Sequence, residues 1–362
     1  MIAAGMRSPR ASRLVCPSPL PREIAMRRAF LILLALLCVA LSAAPQADEA
    51  FARLGRGVNI LGYDPMWSDP DKARFRPPLY RTIRDGGFRT VRVNLQAFAH
   101  MDADNRLDPA WLRTLDTVVA QATAAGLNVI LDEHDFHPCA ADAAVCRAKL
   151  LAFWSQVAPR YRQAPPSVLF EILNEPNGQM TSEAWNALLR DALRIIRRDN
   201  PTRTVVIGPA SSNAYTALDR LSLPDDDPHL LVTVHYYNPF RFTHQGASWA
   251  PADIRDRTGV HWGSAADRAK LYHEFDRIAA WAQAHHRPIL IGEFGTFEQA
   301  PADDRLAWTV AVVNAAEKRH FAWAYWQFEG SFGTYDIGRG VWIASLHHAL
   351  VDSDSAYAGA GR

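Results

Sequence analysis

Lysine is nearly missing from this 362-residue chain: four of its 39 basic side chains are Lys and the rest are Arg. There is no basic run, no acidic run and no low-complexity tract, and the formal net charge is +1. A surface of that kind gives no electrostatic footprint for nucleic acid or for an anionic membrane. Cysteine is scarce, with four residues. The glycine-rich turn that would cradle a phosphate after a first strand is also absent; the first strand-like run continues instead into NILGYDPMW (59–67). The one long apolar run, near the N-terminus, is too short and wrongly flanked to span a bilayer.

That run belongs to a different pattern. From Met26 the chain reads MRRAFLILLALLCVALSAAPQADEA, two arginines followed by an apolar stretch and then small residues. This is the layout of a secretory leader. Of the Ala43, Ala44 and Ala47 junctions, Ala47 is preferred for cleavage, and Met26 is the better start codon. Residues 1–47 are therefore expected to be an N-terminal extension with a signal peptide, and residues 48–362 the working domain. Without the leader, 33 basic and 37 acidic side chains remain, a net charge of −4. The expected location is exported, periplasmic or extracellular, with no stable membrane anchor and with a monomeric chain.

Two cysteines leave with such a leader. Cys139 and Cys146 remain (CAADAAVC) and in an oxidising compartment would form one short-loop disulfide. A metal-binding pair is the alternative, although it normally needs closer spacing and further ligands.

The remaining chain alternates short apolar runs with longer amphipathic ones. Strands are expected at 56–60, 90–95, 128–134, 168–175, 204–210, 231–237, 288–294 and 321–328. Helical patterns fill the gaps, such as 109–126, 181–200 and 264–286, the last two opening on TSEA and SAAD, which read as N-caps. Eight strands alternating with helices over about 300 residues predict a single α/β domain, a (β/α)8 TIM barrel. The longest connection, 238–263, reads as a site loop.

In such a barrel, catalytic groups sit at the C-terminal ends of strands. The polar residues collect there. Strand two holds Arg92, and strand three ends in His134. Asn174 and Glu175 close strand four in the stretch EILNEPN (171–177), an apolar stave ending in an amide, a carboxylate and a proline. Strand six carries His235 and Tyr237 on one face, strand seven Glu293, strand eight Trp326. Two glutamates facing each other across a barrel mouth are what glycosidic bond cleavage requires, one to protonate the leaving oxygen and one to attack or to activate water. Ion pairing at the rim is the bland alternative and has to explain each group separately.

LNEP (173–176), VHYYNP (234–239) and IGEFG (291–295), with Arg92, His134 and Trp326 in the right strand order, resemble glycoside hydrolase family 5, the family of many cellulases. The resemblance covers essentially the whole mature region. It implies a retaining enzyme without metal or other cofactor, with Glu175 as acid/base, Glu293 as nucleophile and Asn174 on the sugar 2-hydroxyl. His235, Tyr237, Arg92, His134 and Trp326 would support them around the cleaved sugar. Arg92 and the Tyr237 hydroxyl would favour the Glu293 anion, and a less polar setting or the charge of Glu293 would keep Glu175 protonated. Trp326 offers an aromatic platform; Trp249, Trp262, Phe136, Tyr236 and Phe240 could extend the cleft floor. The expected substrate is a β-linked polysaccharide or oligosaccharide, foremost a β-1,4-glucan cut by an endo-acting, cellulase-like enzyme. Mannan, mixed-linkage or β-1,3-glucan keep the same chemistry.

Two readings of other classes compete. DEHDFHPC (132–139) is rich in metal-capable groups, as in metal-dependent barrel hydrolases. Alternate strand positions face opposite ways, however, so Asp132, Glu133, His134, Asp135 and His137 cannot all converge. A non-catalytic carbohydrate-binding barrel is disfavoured by the intact glutamate pair.

Overall fold

Eight parallel strands pair in sequence order and close on themselves: β1 (Arg56–Ile60), β2 (Thr90–Leu95), β3 (Asn128–Glu133), β4 (Val168–Glu171), β5 (Val205–Ile207), β6 (Leu230–Tyr236), β7 (Ile289–Phe294) and β8 (Ala322–Tyr325). The structure is a computed structural model that describes residues 49–352; the proposed leader, its cleavage point and the Met26 start lie outside the described residues. The (β/α)8 expectation holds. No helix among the described residues is long and apolar enough to cross a membrane.

Alternation within each strand decides what fills the barrel. Ile130, Leu169, Val206, Leu231, Leu290 and Ala322 point inward and form an apolar bottom layer, plugged by Leu54 from the short helix at 49–54. Two residues further along, the inward positions turn polar: Arg92, Asp132, Glu171 and Thr233, all fully buried. Outward residues such as Val58, Val91, Phe170, Val234 and Ile291 pack into the main core beneath the helices.

The helices obey their sequence signals. Thr181 caps Ser182–Asp199 through the Ala184 N–H, and this helix buries Trp185, Leu188, Leu189, Ala192, Leu193 and Ile196, one stripe at three- and four-residue spacing. Ser264 and Asp267 form a reciprocal capping box at the start of Ala265–His285. Three fully buried tryptophans do more than pack. The indole N–H of Trp154 donates to the Ile172 carbonyl (3.1 Å), that of Trp185 to Gly208 (2.9 Å) and that of Trp308 to Asn238 (2.9 Å). Each therefore ties the backbone just beyond β4, β5 or β6, where the chain leaves the barrel and carries polar side chains.

Five strands end earlier than their sequence runs suggest, β3 and β6 by a single residue, which leaves His134 and Tyr237 just past the strand ends. β4 stops at Glu171, so Asn174 and Glu175 lie on the loop above it, where Glu175 takes a left-handed backbone (φ 44°). β5 spans three residues, and the chain beyond it turns left-handed at Ser211, Ser212 and Asn213 (φ 66°, 57°, 54°). β8 ends at Tyr325, one residue before Trp326.

Cys139 and Cys146 are disulfide-bonded, joining the helix Phe136–Ala141 to Ala143–Arg160. Next to this bridge the Ala140 carbonyl accepts from the Gln179 N–H (2.9 Å), and a Cβ on Gly178 (φ +59°) would come within 2.6 Å of the same oxygen. Glycine is thus required where the Glu175 loop presses on the disulfide-closed segment.

Candidate active site

A cleft of about 900 Å³ opens at the C-terminal end of the barrel. It reaches from the β1 loop, with Tyr63 and Arg74, across to the β6 loop, with Phe240 and Trp249. Glu175, Glu293, Asn174, His134, His235, Tyr237 and Trp326 all line it, as do Phe136 and Trp249. Arg92 does not; it sits one layer deeper, wholly buried, and reaches the cleft only through the groups it holds.

The arginine organises that deeper layer. Its five N–H donors each find an acceptor: Nε and Nη2 grip Glu171 (2.7 and 2.8 Å), Nη1 bonds Asn59 Oδ1 (2.9 Å) and Glu293 Oε1 (2.8 Å), and Nη2 bonds Asn174 Oδ1 (2.8 Å). Asp132 Oδ2 lies 3.1 Å from Nη2. A buried guanidinium among carboxylates is tolerable only when paired this fully. Burial pushes the Glu171 carboxyl up to about 7 against the pull of Arg92. Burial alone would lower His134, but Asp132, 2.6 Å from its Nδ1, raises it overall.

Glu293 reaches this site through an irregularity. β6 and β7 pair Val234 with Ile291, but then His235 with Glu293, so Gly292 is an extra residue in β7. Strict alternation from Leu290 would turn Glu293 outward. The bulge brings it inward beside His235, whose Nδ1 lies 3.6 Å from Glu293 Oε2. Gly292 has to be glycine here, since a Cβ would collide with Thr233 Oγ1, and its carbonyl accepts from Asn59 Nδ2 (3.0 Å). Tyr237 donates its hydroxyl to Glu293 Oε2 (2.9 Å); burial first, and the neighbouring carboxylates second, hold that phenol well above its ordinary range, so it stays a donor.

Glu175 has a different setting. Burial in the cleft pushes its carboxyl up to about 7, although His134 and Arg92 pull the other way. The less polar setting, not the charge of Glu293, is the leading cause. His235 Nδ1 lies 2.8 Å from Glu175 Oε1, and burial holds this imidazole down to about 4, hence neutral. Asn213 Nδ2 is 3.2 Å from His235 Nε2, and the Asn213 carbonyl accepts from the His235 N–H (3.0 Å). An amide donor at Nε2 places the ring proton on Nδ1, facing Glu175. One oxygen of Glu175 and one of Glu293 lie within 4.8 Å of each other.

The aromatic expectations divide. Trp326 stacks on His134 (5.7 Å, 6°) at the cleft floor. Trp249 is 62% exposed and stands edge-on against Phe297 (5.2 Å), a propped platform; Phe240 is exposed and stacks on His244 (3.9 Å). Trp262 is not a cleft residue: it is buried against Phe242 and under the Arg268 guanidinium, closing the base of the loop. Tyr236 is likewise corrected, because it faces outward and donates to Glu274 (2.8 Å).

The metal-capable run at 132–137 does not converge. Asp132 and His134 face inward, whereas Glu133 faces outward and accepts from the Asp135 N–H (3.3 Å), and His137 stands exposed on the cleft wall. Among the described residues, the one close group of three metal-capable side chains is Glu175, His235 and Glu293 themselves.

Sequence reasoning missed Glu171, Asn59, Asn213 and Tyr63. Glu171 had a signal: it stands two residues after the inward Leu169 and therefore shares its face. Asn213 had none, because three successive left-handed residues bring it to His235.

A closed barrel with two carboxylates this near each other at its C-terminal mouth defines a class, the barrel glycoside hydrolases. Comparison with known proteins narrows it. The description "Cellulase (glycosyl hydrolase family 5)" matches residues 53–331, and the chain belongs to that family. It is similar to endoglucanase H of Acetivibrio thermocellus, 29% identical over 305 residues, which are 82% of this chain and 32% of that protein. The chain thus spans about a third of that relative's length. Among solved structures it resembles Thermotoga maritima Cel5A in complex with cellobiose, with 37% identity, a TM-score of 0.80, and 84% of this chain and 100% of the other covered. Cel5A with mannotriose matches with 36% identity, a TM-score of 0.80 and the same coverage.

Proposed function

We propose that this protein is an exported, retaining endo-β-1,4-glucanase in which Glu293 is the nucleophile and Glu175 the acid/base. The observation that carries this reading is the approach of the two carboxylates within 4.8 Å. Such a gap suits direct attack and a covalent intermediate; inverting enzymes hold their carboxyl groups about 6.5–9.5 Å apart to admit a water.

Glu293 attacks the anomeric carbon while Glu175 passes its proton to the departing oxygen. The bond to Glu293 removes the negative charge that Arg92 and Tyr237 had stabilised. Glu175, now a carboxylate, takes a proton from water, whose oxygen attacks the same carbon and frees Glu293. The balance needs two carboxylates and water, so no cofactor enters. His235 donating to Oε1 leaves the acidic proton of Glu175 on Oε2, toward the leaving group. Asn174, with its Oδ1 taken by Arg92, presents Nδ2 to the sugar 2-hydroxyl.

Export is supported by the leader pattern before residue 48 and by the Cys139–Cys146 bond. A cleft that crosses the mouth from the β1 to the β6 loop supports internal attack on a long chain. An aromatic-lined groove without a cluster of basic side chains supports an uncharged glycan, and the cellobiose and mannotriose complexes of Cel5A point to β-1,4-linked hexoses.

The test is reducing-end release from carboxymethylcellulose, lichenan, laminarin and mannan, with and without EDTA. Cleavage of the first two, unaffected by EDTA, is expected. Activity confined to mannan or laminarin would change the substrate and keep the mechanism. EDTA-sensitive cleavage, or binding without turnover, would sink the reading. In the same assay Trp249→Ala is expected to raise KM for the polymer about tenfold, or about 1.4 kcal/mol, and leave kcat on short aryl glycosides unchanged, since the exposed ring is covered only when a sugar stacks on it.

A further inference from the structure

We infer that Glu171 is a positioning residue for the reaction: it fixes the plane of Arg92, and through it the placement of both Glu293 and Asn174. The inference rests on the proposed roles of those two residues, which Glu171 does not share, because it is fully buried and does not line the cleft.

The geometry is that of a lever. A guanidinium is flat, so its five N–H groups are aimed together. Glu171 takes the Nε and Nη2 edge in a two-point grip at 2.7 and 2.8 Å, the only carboxylate to hold Arg92 by two nitrogens among its described hydrogen bonds. Such a fork sets orientation as well as distance. With that edge fixed, the rest of the plane is fixed too. Nη1, at the far end, meets Glu293 Oε1 at 2.8 Å, and the second N–H of Nη2 meets Asn174 Oδ1 at 2.8 Å. The group proposed to attack the sugar and the amide proposed to hold its 2-hydroxyl therefore hang from one rigid plate. β4 supplies Glu171 at its last strand position, three residues before Asn174, so one segment carries both the anchor and one of the anchored groups.

A simple counter-ion would be redundant here, because Asp132 and Glu293 already face the guanidinium at 3.1 and 2.8 Å. What neither supplies is the second contact that stops rotation. In Glu171→Gln one acceptor becomes an N–H donor facing an N–H of Arg92, so the plate must turn while the volume stays the same. A shift of about 1 Å at the reacting groups costs on the order of a hundredfold in rate.

The test is a double-mutant cycle on 2,4-dinitrophenyl β-cellobioside, whose leaving group needs no proton from Glu175. Glu171→Gln is expected to lower kcat about a hundredfold with KM within about twofold. Glu171→Asp keeps the charge but shortens the anchor, and is expected to lose tenfold or more in kcat; it also serves if the Gln variant fails to fold. In an Arg92→Lys background, which has no plate to align, Glu171→Gln should add less than about twofold. Additive losses, unchanged kcat in folded Glu171→Gln, or full activity in Glu171→Asp would overturn the inference. Arginine side-chain NMR reads it without substrate: the Nη1 protons of Arg92, bonded to Glu293 and Asn59, should be slowly exchanging in wild type and lost in Glu171→Gln. Retention of those signals would also overturn it. If the wild-type protein cleaves no glucoside, the proposed activity fails and the NMR result still decides the role of Glu171.

Discussion

With Glu293 replaced by Gln, kcat on any β-glucan is expected to fall by at least about 10⁴-fold, the scale seen when a covalent nucleophile is removed. An amide cannot form the glycosyl ester. The fold should survive. Gln can still accept from Arg92 Nη1 through its oxygen, and it relieves a layer in which Asp132, Glu171 and Glu293 surround one arginine. Thermal unfolding is therefore expected at or above the wild-type temperature. The diagnostic is stereochemical: Glu293→Gly with azide and an activated aryl glycoside should yield the α-glycosyl azide, because the anion enters on the face that the carboxylate vacated. A β product, or near-normal turnover without azide, would remove Glu293 from the nucleophile role.

The second large effect separates the two half-reactions. Glu175→Gln is expected to lower kcat on glucan about 10²–10⁴-fold, the usual worth of general acid–base catalysis. On 2,4-dinitrophenyl β-cellobioside the first step should stay fast and the intermediate should accumulate, seen as a burst of dinitrophenol. The pH profile carries an independent signature. Glu175 must be protonated to act as acid, and burial places its carboxyl at about 7. Wild-type kcat/KM on glucan should therefore fall as pH rises through about 7, and this basic limb should vanish from the residual activity of Glu175→Gln on the same glucan. A basic limb that persists in the variant would assign the titration to another group. His235 does not offer one in that range, since burial holds it down to about 4, but Glu171, pushed up to about 7 by burial beneath the cleft, does.

Much of this was legible because two simple periodicities dominate the chain. Strand runs such as RGVNI and TVRVNL matched β1 and β2 to the residue, for their apolar positions alternate and turn residues bound them. Glu175, Glu293, His235 and Tyr237 were legible because a carboxylate or ring at the end of an apolar run has few structural reasons to be there. The failures share a cause. Trp249 and Trp262 stand on one loop with equal credentials, and only packing against Phe297 in one case and Phe242 in the other decides which meets the cleft. Glu171 looked like part of a stave because its partner lies 79 residues away on β2. Asn213 depends on a backbone turn that Ser-Ser-Asn does not announce. Long-range pairing and left-handed backbone leave no local pattern to read.

The extra residue at Gly292 has a consequence for how such a carboxylate pair could arise or be transplanted. Inside a regular barrel, strand parity is conserved: substitution changes which side chain stands at a position, never which way the position points. Glu293 stands at a position of the wrong parity, reached because one strand is a residue longer than its neighbour's register. No sequence of point substitutions on an even-register scaffold reproduces that placement. Copying Glu175, Glu293, Arg92 and Tyr237 onto another eight-stranded barrel would aim the Glu293 carboxylate at the outer helices unless the insertion travels with it. The insertion also needs Asn59 on β1 to take its displaced carbonyl and a bare Cα facing Thr233. The heritable unit of this arrangement is thus a frame shift in the sheet together with its acid, and the placement of the carboxylate depends on Gly292 as much as on Glu293 itself.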